Sequence, residues 1–150
     1  MKIVIQRVLS ASVNINDVVH ATINQGMLIL VGFQPDDADE DLDWIIGKIC
    51  RLRIFDDENG VMNCSIKDIS GEILVVSQFT LMASTKKGNR PSYIKAASPD
   101  IAIPLYEKFK KELAIEFGGD IACGVFGADM KVNLVNDGPV TIMIDSKNKE

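Results

Sequence analysis

Histidine is nearly missing: the chain of 150 residues has one, His20. It lies in Val18-Val19-His20-Ala21 between apolar neighbours and reads as structural. A Ser-His-Asp or Cys-His arrangement would have to use this single residue, and a histidine-based zinc site has too few ligands. Cysteine is also scarce. Cys50, Cys64 and Cys123 are odd in number and widely spaced, so they make neither a disulfide framework nor a CxxC metal site and read as buried thiols. No GxxxxGKS/T phosphate loop and no GxGxxG following a strand occurs, which removes the familiar nucleotide-hydrolysis and redox readings. No stretch approaches the ~20 uncharged apolar residues of a membrane span, and Met1 opens a strand-like segment instead of a signal peptide. The expectation is a soluble, cytoplasmic protein with no membrane partner, no cofactor and no metal. Repeats, low-complexity tracts and linkers are lacking too, so residues 1–150 read as one domain.

With 47% apolar side chains, the chain is able to bury one real core. The net charge of −5 argues mildly against a nucleic-acid partner. The charge is uneven, however. Acidic residues crowd Asp36 to Asp43 and Asp56 to Glu58, whereas Lys86, Lys87, Arg90, Lys95, Lys108, Lys110 and Lys111 face only Asp100 and Glu107 in their segment. That distribution fits a local basic surface, and it also fits a solvated face followed by an ordinary helix end.

Lys2 to Val8, Ala11 to Ile15 and Val18 to Ile23 are rich in β-branched residues, with Asn16-Asp17 as a two-residue turn, and predict a meander. Gly26 to Phe33 is a continuous apolar run, the mark of a central strand covered on both faces. Asp36 or Asp37 is placed to cap a helix that buries Leu42, Ile45, Ile46, Ile49 and Cys50. Leu52 to Phe55 and Glu72 to Phe79 read as strands. A second helix starts near Ser98 with Pro99 at its first position and runs to about Phe117, where Gly118-Gly119 ends it; Pro104 is out of place inside it. Short strands at Ile121 to Cys123, Lys131 to Val135 and Val140 to Asp145 close the domain. The order predicts an α+β fold: a mainly antiparallel, barrel-like sheet with two main helices.

Two polar clusters flank apolar strands, where loops carry function on a rigid support. Ser77-Gln78-Phe79-Thr80-Leu81 follows Ile73-Leu74-Val75-Val76. On a strand it would turn Ser77, Phe79 and Leu81 one way and Gln78 and Thr80 the other. A strand edge whose hydroxyls satisfy nearby backbone is the plain alternative. Asn136-Asp137-Gly138-Pro139-Val140-Thr141 precedes Ile142-Met143-Ile144 and has the chemistry of a turn.

These two clusters resemble the SQxTL and NxGPVT signatures of the D-aminoacyl-tRNA deacylases, also known as D-tyrosyl-tRNA deacylases. Gln6-Arg7-Val8, Leu52-Arg53-Ile54-Phe55, Gly88-Asn89-Arg90-Pro91-Ser92 and Phe126-Gly127-Ala128-Asp129-Met130 agree with the same family, so the resemblance spans essentially the whole chain. It implies chiral proofreading: hydrolysis of the ester of D-aminoacyl-tRNA, and of glycyl-tRNA, to free amino acid and tRNA. It further implies a homodimer with its active sites at the subunit interface. Gly138-Pro139, in the cis form and continuing into Val140 and Thr141, would enter the neighbouring subunit's site, where its carbonyls leave no room for an L side chain. Ser77, Gln78, Phe79 and Thr80 would form the catalytic segment, with main-chain N–H groups around Phe79 and Thr80 facing the oxyanion. The Thr80 hydroxyl would hold the carbonyl or a water, and the 2′-OH of the tRNA would assist. Phe126, Gly127, Ala128 and Met130 would wall the adenosine, and Arg7 would support the Gly138-Pro139 segment. A hydrolase of another aminoacyl or acyl ester on the same fold, and a non-enzymatic dimeric binding protein, are the alternatives. Turnover separates the second of these from the enzymes, and handedness separates the first.

Overall fold

The computed structural model describes residues 1–149. Strand β1 (Lys2–Ile15) turns through Asn16 and Asp17, at φ 50° and 62°, into β2 (Val18–Ile23), and β3 (Gly26–Gly32) follows. Asn and Asp tolerate the left-handed region, which is why this pair makes the hairpin turn. β1 is one strand, where the sequence suggested a break at the exposed Leu9-Ser10. Its pairing with the long final strand β8 (Lys131–Asp145) slips register between Gln6 and Val8 and again between Val8 and Ser10. Bulges of this kind change which face a strand buries. Ile3 and Ile5 accordingly join the core beneath the helices, whereas Val8, Ala11 and Val13 join a second core made of strand residues alone.

The sheet is mixed, not mainly antiparallel. β1 pairs antiparallel with β2, β3 and β8, but β3 pairs parallel with β6 (Glu72–Ser77), and β6 pairs parallel with β7 (Ala122–Cys123). The physical reason lies in the connections. Between β3 and β6 the chain crosses through helix α1 (Asp39–Arg51) and a hairpin of β4 (Phe55–Asp56) and β5 (Met62–Cys64). Between β6 and β7 it crosses through helix α2 (Pro99–Phe117). A crossover returns the chain to the same end of the sheet, so the strands it joins run parallel. The path β2-β1-β3-β6-β7 curls until β2 meets β6 and β7, giving a nearly closed, barrel-like α+β structure.

β3 is covered on both faces as its apolar run predicts: Met27, Ile29 and Val31 enter the helix-side core and Leu28 the barrel core. Leu42, Ile45, Ile46, Ile49 and Cys50 are the buried side of α1. Its N-cap is Ala38, not Asp36 or Asp37. The Asp41 carboxylate accepts the Ala38 N–H at 2.9 Å, while Asp37 is already used by the Gln34 N–H at 2.7 Å. In α2, Pro104 sits inside the helix on its exposed side, and Gly118 ends it at φ 82°. Losing one N–H at an exposed position leaves a carbonyl that water satisfies, so the helix continues. Of the three free cysteines only Cys50 is fully buried, with Cys64 and Cys123 half-buried. His20 is exposed on β2, so it is no core histidine. Among the described residues no helix is long and apolar enough to cross a membrane.

Candidate active site

Ile73 to Val76 are buried and deliver Ser77 and Gln78 to the end of β6. The strand stops there. At Gln78 the backbone turns (φ −145°, ψ 83°), and Phe79–Met82 form one 3-10 turn, so the side-to-side alternation expected of a strand does not continue past Ser77. Gly32 is the cause on the facing strand. The Gln78 N–H donates to Val31 O at 2.7 Å, and a Cβ on Gly32 would stand 2.7 Å from Gln78 O, so only glycine admits this approach. The first bond of the turn runs from the Leu81 N–H to Gln78 O at 3.2 Å. The N–H groups of Phe79 and Thr80 precede it and are not used by the turn. Gln78 Nε2 donates to Thr80 Oγ1 at 2.6 Å, fixing the threonine side chain against the strand end.

Beside this turn opens a cavity of 510 Å³, lined by Val31 to Phe33, Val76 to Phe79, Ala96, Ala97, Pro99, Ala102, Phe126 to Met130 and Val132. Its size suits a small organic ligand. Ser77, Gln78, Phe79, Phe126, Gly127, Ala128 and Met130 thus meet around one space despite their separation in sequence. Thr80 stands just outside the lining, joined to it through Gln78. Phe126 packs at 5.8 Å and 51° on Tyr106, whose hydroxyl donates to Val75 O at 3.3 Å and whose pKa burial pushes up. Phe79 remains 55% exposed, with Tyr93 edge-on at 5.0 Å. Ala96, Ala97 and Ala102 are lining residues that sequence reasoning missed. Small residues at a strand or helix end carry no chemical signal, and only the fold brings them here.

Burial raises the Cys123 thiol on β7 to about 11, so it stays protonated at neutral pH. Among the described residues no group of three or more His, Cys, Asp or Glu is arranged to hold a metal ion.

Asn136 to Thr141 do not form a free turn; they lie within β8. Pro139 has no N–H to give the ladder, and Asn136 Nδ2 donates instead to Arg7 O and Val140 O, both at 3.0 Å. The Gly138–Pro139 bond is cis. Arg7, 6% exposed, holds the segment from below. Its Nε donates to Asp137 O at 3.2 Å and pairs with Asp137 Oδ2 at 3.0 Å, while NH1 reaches Ile54 O at 2.8 Å and Asp56 Oδ1 at 3.2 Å. A Cβ on Gly138 would stand 2.9 Å from Val140 Cγ2 and 3.0 Å from Arg7 NH2. Thr141 accepts from Gln6 Nε2 at 3.2 Å. Gly138, Pro139 and Thr141 are exposed, Val140 is half-buried, and none of the four lines the cavity of its own chain.

Residues 4–145 match the family model described as D-Tyr-tRNA(Tyr) deacylase. Proteins named D-aminoacyl-tRNA deacylase from Flavobacterium johnsoniae and Bacteroides thetaiotaomicron are each 63% identical over 150 residues, all of both chains. Among solved structures, the c-Myc DNA unwinding element binding protein superposes with a TM-score of 0.92 at 39% identity, covering 97% of this chain and 98% of its own. A structure described as a probable eukaryotic D-amino acid tRNA deacylase superposes at 0.82 with 19% identity, covering 95% and 97%, and shares the fold.

Proposed function

The chain belongs to the D-Tyr-tRNA(Tyr) deacylase family, enzymes that hydrolyse the ester of D-aminoacyl-tRNA, and from that premise we propose how its cavity performs this hydrolysis. The observation that carries the proposal is the convergence of Ser77-Gln78-Phe79 and Phe126 to Met130 on one cavity. The terminal adenosine lies along Phe126 and Met130, where an aromatic face stacks a base. The ester carbonyl then meets the end of β6. Its oxygen, which gains negative charge as water adds, takes hydrogen bonds from the Phe79 and Thr80 N–H groups. Because Gln78 Nε2 donates to Thr80 Oγ1, the threonine proton is free to point at the carbonyl or at the attacking water. The same hydrogen bond, with no base paired to the Thr80 hydroxyl among the described residues, makes Thr80 a positioning group and not a covalent nucleophile. An aminoacyl ester is already activated, so orientation and charge stabilisation suffice. When the C–O bond breaks, one proton of the attacking water passes to the departing adenosine oxygen and the other to solvent, and the amino acid leaves as its carboxylate.

Selection of the D form is assigned to Gly138-Pro139 of a second copy of the chain. Two facts support a shared site: the segment is exposed and rigidly backed by Arg7 and Asn136, and it lies outside its own chain's cavity. Main chain fixed in this way crowds one side of the α-carbon irrespective of side-chain type, so many D-amino acids pass and glycine passes with them. The protein therefore works as a homodimer on aminoacyl-tRNA in the cytoplasm. Deacylation of matched D- and L-tyrosyl-tRNA tests the function. Rapid release from the D ester alone is expected; equal rates would leave an esterase without proofreading.

A further inference from the structure

Between Glu72 and Asp100 the sequence holds no acidic residue, and its only charges are Lys86, Lys87, Arg90 and Lys95. In a chain of net charge −5 this segment is thus +4, against −9 for the remainder. The structure sharpens the contrast. Lys2, Arg7, Arg51, Lys108, Lys110, Lys131 and Lys147 each sit within an ion pair, whereas none of the four cations of this segment joins an ion pair among the described residues. All four are exposed.

They sit on one built element. Ser84 and Ser92 exchange backbone hydrogen bonds at 2.8 and 2.9 Å, closing residues 85–91 into a tip that turns at Gly88 (φ 68°). The far end is tied to the cavity: Tyr93 rests edge-on against Phe79, the Ala97 N–H donates to Phe33 O at 2.9 Å, and Ala96 and Ala97 are cavity lining. We propose that residues 84–95 form a basic arm at the cavity rim that binds the phosphate backbone of the acceptor end of the tRNA. This rests on the deacylase reading of the cavity. The nucleotides next to the terminal adenosine must pass the rim, and an acidic protein needs local, unneutralised cations there to hold a polyanion. The arm thus offers four exposed cations outside any ion pair among the described residues, on an element whose far end lines the cavity.

The test is a triple variant, Lys86→Ala with Lys87→Ala and Arg90→Ala, whose side chains are exposed and outside the cavity. Binding of uncharged tRNA is measured from 50 to 300 mM KCl, alongside hydrolysis of D-tyrosyl-tRNA and of D-tyrosyl-adenosine, which has no phosphate. Each lost phosphate contact removes ~0.7 to 0.9 from the slope of log K against log salt, so the variant's slope should be shallower by roughly 2 to 3 and its affinity at low salt weaker by on the order of tenfold or more. Its kcat/KM on the tRNA ester should fall in step, and its rate on the adenosine ester should stay at the wild-type level. A wild-type slope, or an equal loss on both esters, overturns the arm. Binding needs no turnover, so failure of the deacylase reading shows separately, as a wild type that hydrolyses neither ester.

Discussion

Removing the Arg7 side chain should damage selection and stability together, because one guanidinium braces the Gly138-Pro139 segment against the β4 strand. In Arg7→Ala the Ile54 carbonyl loses its donor at 2.8 Å, and the Asp137 carbonyl loses its donor at 3.2 Å. A buried acceptor left without a partner costs about 1–3 kcal/mol. The carboxylates of Asp56 and Asp137 are 50% and 32% exposed, so their ion pairs add only about 0–1 kcal/mol each. The total is roughly 3 kcal/mol, which for a protein of this size lowers Tm by on the order of 6–12 °C. Arg7→Lys keeps the charge but cannot fork between Ile54 and Asp137, and should lose about half as much. Urea melts and single-turnover deacylation of D- and L-tyrosyl-tRNA, on samples shown to be folded, read both effects. The D rate should fall and the D/L ratio should shrink in both variants, further in Arg7→Ala. Unchanged stability would refute the energetics. Lowered stability with a wild-type rate and ratio would show that Arg7 serves the fold alone.

Three further outcomes follow from the same geometry. Thr80→Ala should slow single-turnover hydrolysis of the D ester by roughly a hundred- to a thousandfold, the range for a lost transition-state donor, while leaving the D/L preference unchanged; a changed preference would move Thr80 into selection. Burial raises the Asp41 carboxyl, but hydrogen bonds from Lys147, Ala38 N–H and Ser146 and the Lys147 charge outweigh it, holding the pKa at about 2 against an ordinary 3.8. Its stabilisation, at most about 2 kcal/mol, is complete above about pH 4 and is lost as pH falls towards 2, so Asp41→Asn should flatten the acid limb of a stability profile in that window and nowhere else. Turnover should survive exhaustive dialysis against EDTA, since among the described residues no ligand cluster exists; loss restored by one defined metal would contradict this.

Where the chain signals by hydrophobic period, the sequence was read correctly: β3 is an apolar run buried on both faces, and α1 hides Leu42, Ile45, Ile46 and Ile49. Strand direction was not legible. Periodicity shows that Ile73 to Val76 form a buried strand but not that α1 and α2 act as crossovers that set β6 and β7 parallel. Interrupted patterns also misled. Leu9-Ser10 and Asp137-Gly138 suggested ends of strands because their periodicity fails, yet β1 and β8 pass through by bulging and by borrowing the Asn136 amide. At the site, the polar residues were visible as motifs. The turn after Ser77 was not, since it depends on Gly32 from another strand, and neither was the alanine lining.

The central claim, that the cavity of one copy is completed by Gly138-Pro139 of another, is tested most directly in mixed dimers. Two variants are coexpressed with different tags, Thr80→Ala, which spoils the cavity segment, and Gly138→Ala, whose added Cβ meets Val140 and the Arg7 guanidinium. Dimers carrying both tags are purified, and their single-turnover rate on D-tyrosyl-tRNA is compared with each parent. If the sites are shared, one site of a mixed dimer has both its Thr80 and its Gly138 intact and the other has neither, so the mixed dimer should recover about half the wild-type rate from two impaired parents. If each copy used its own Gly138-Pro139, every site would carry one defect and the mixed dimer would be no faster than the mean of its parents, which would contradict the claim.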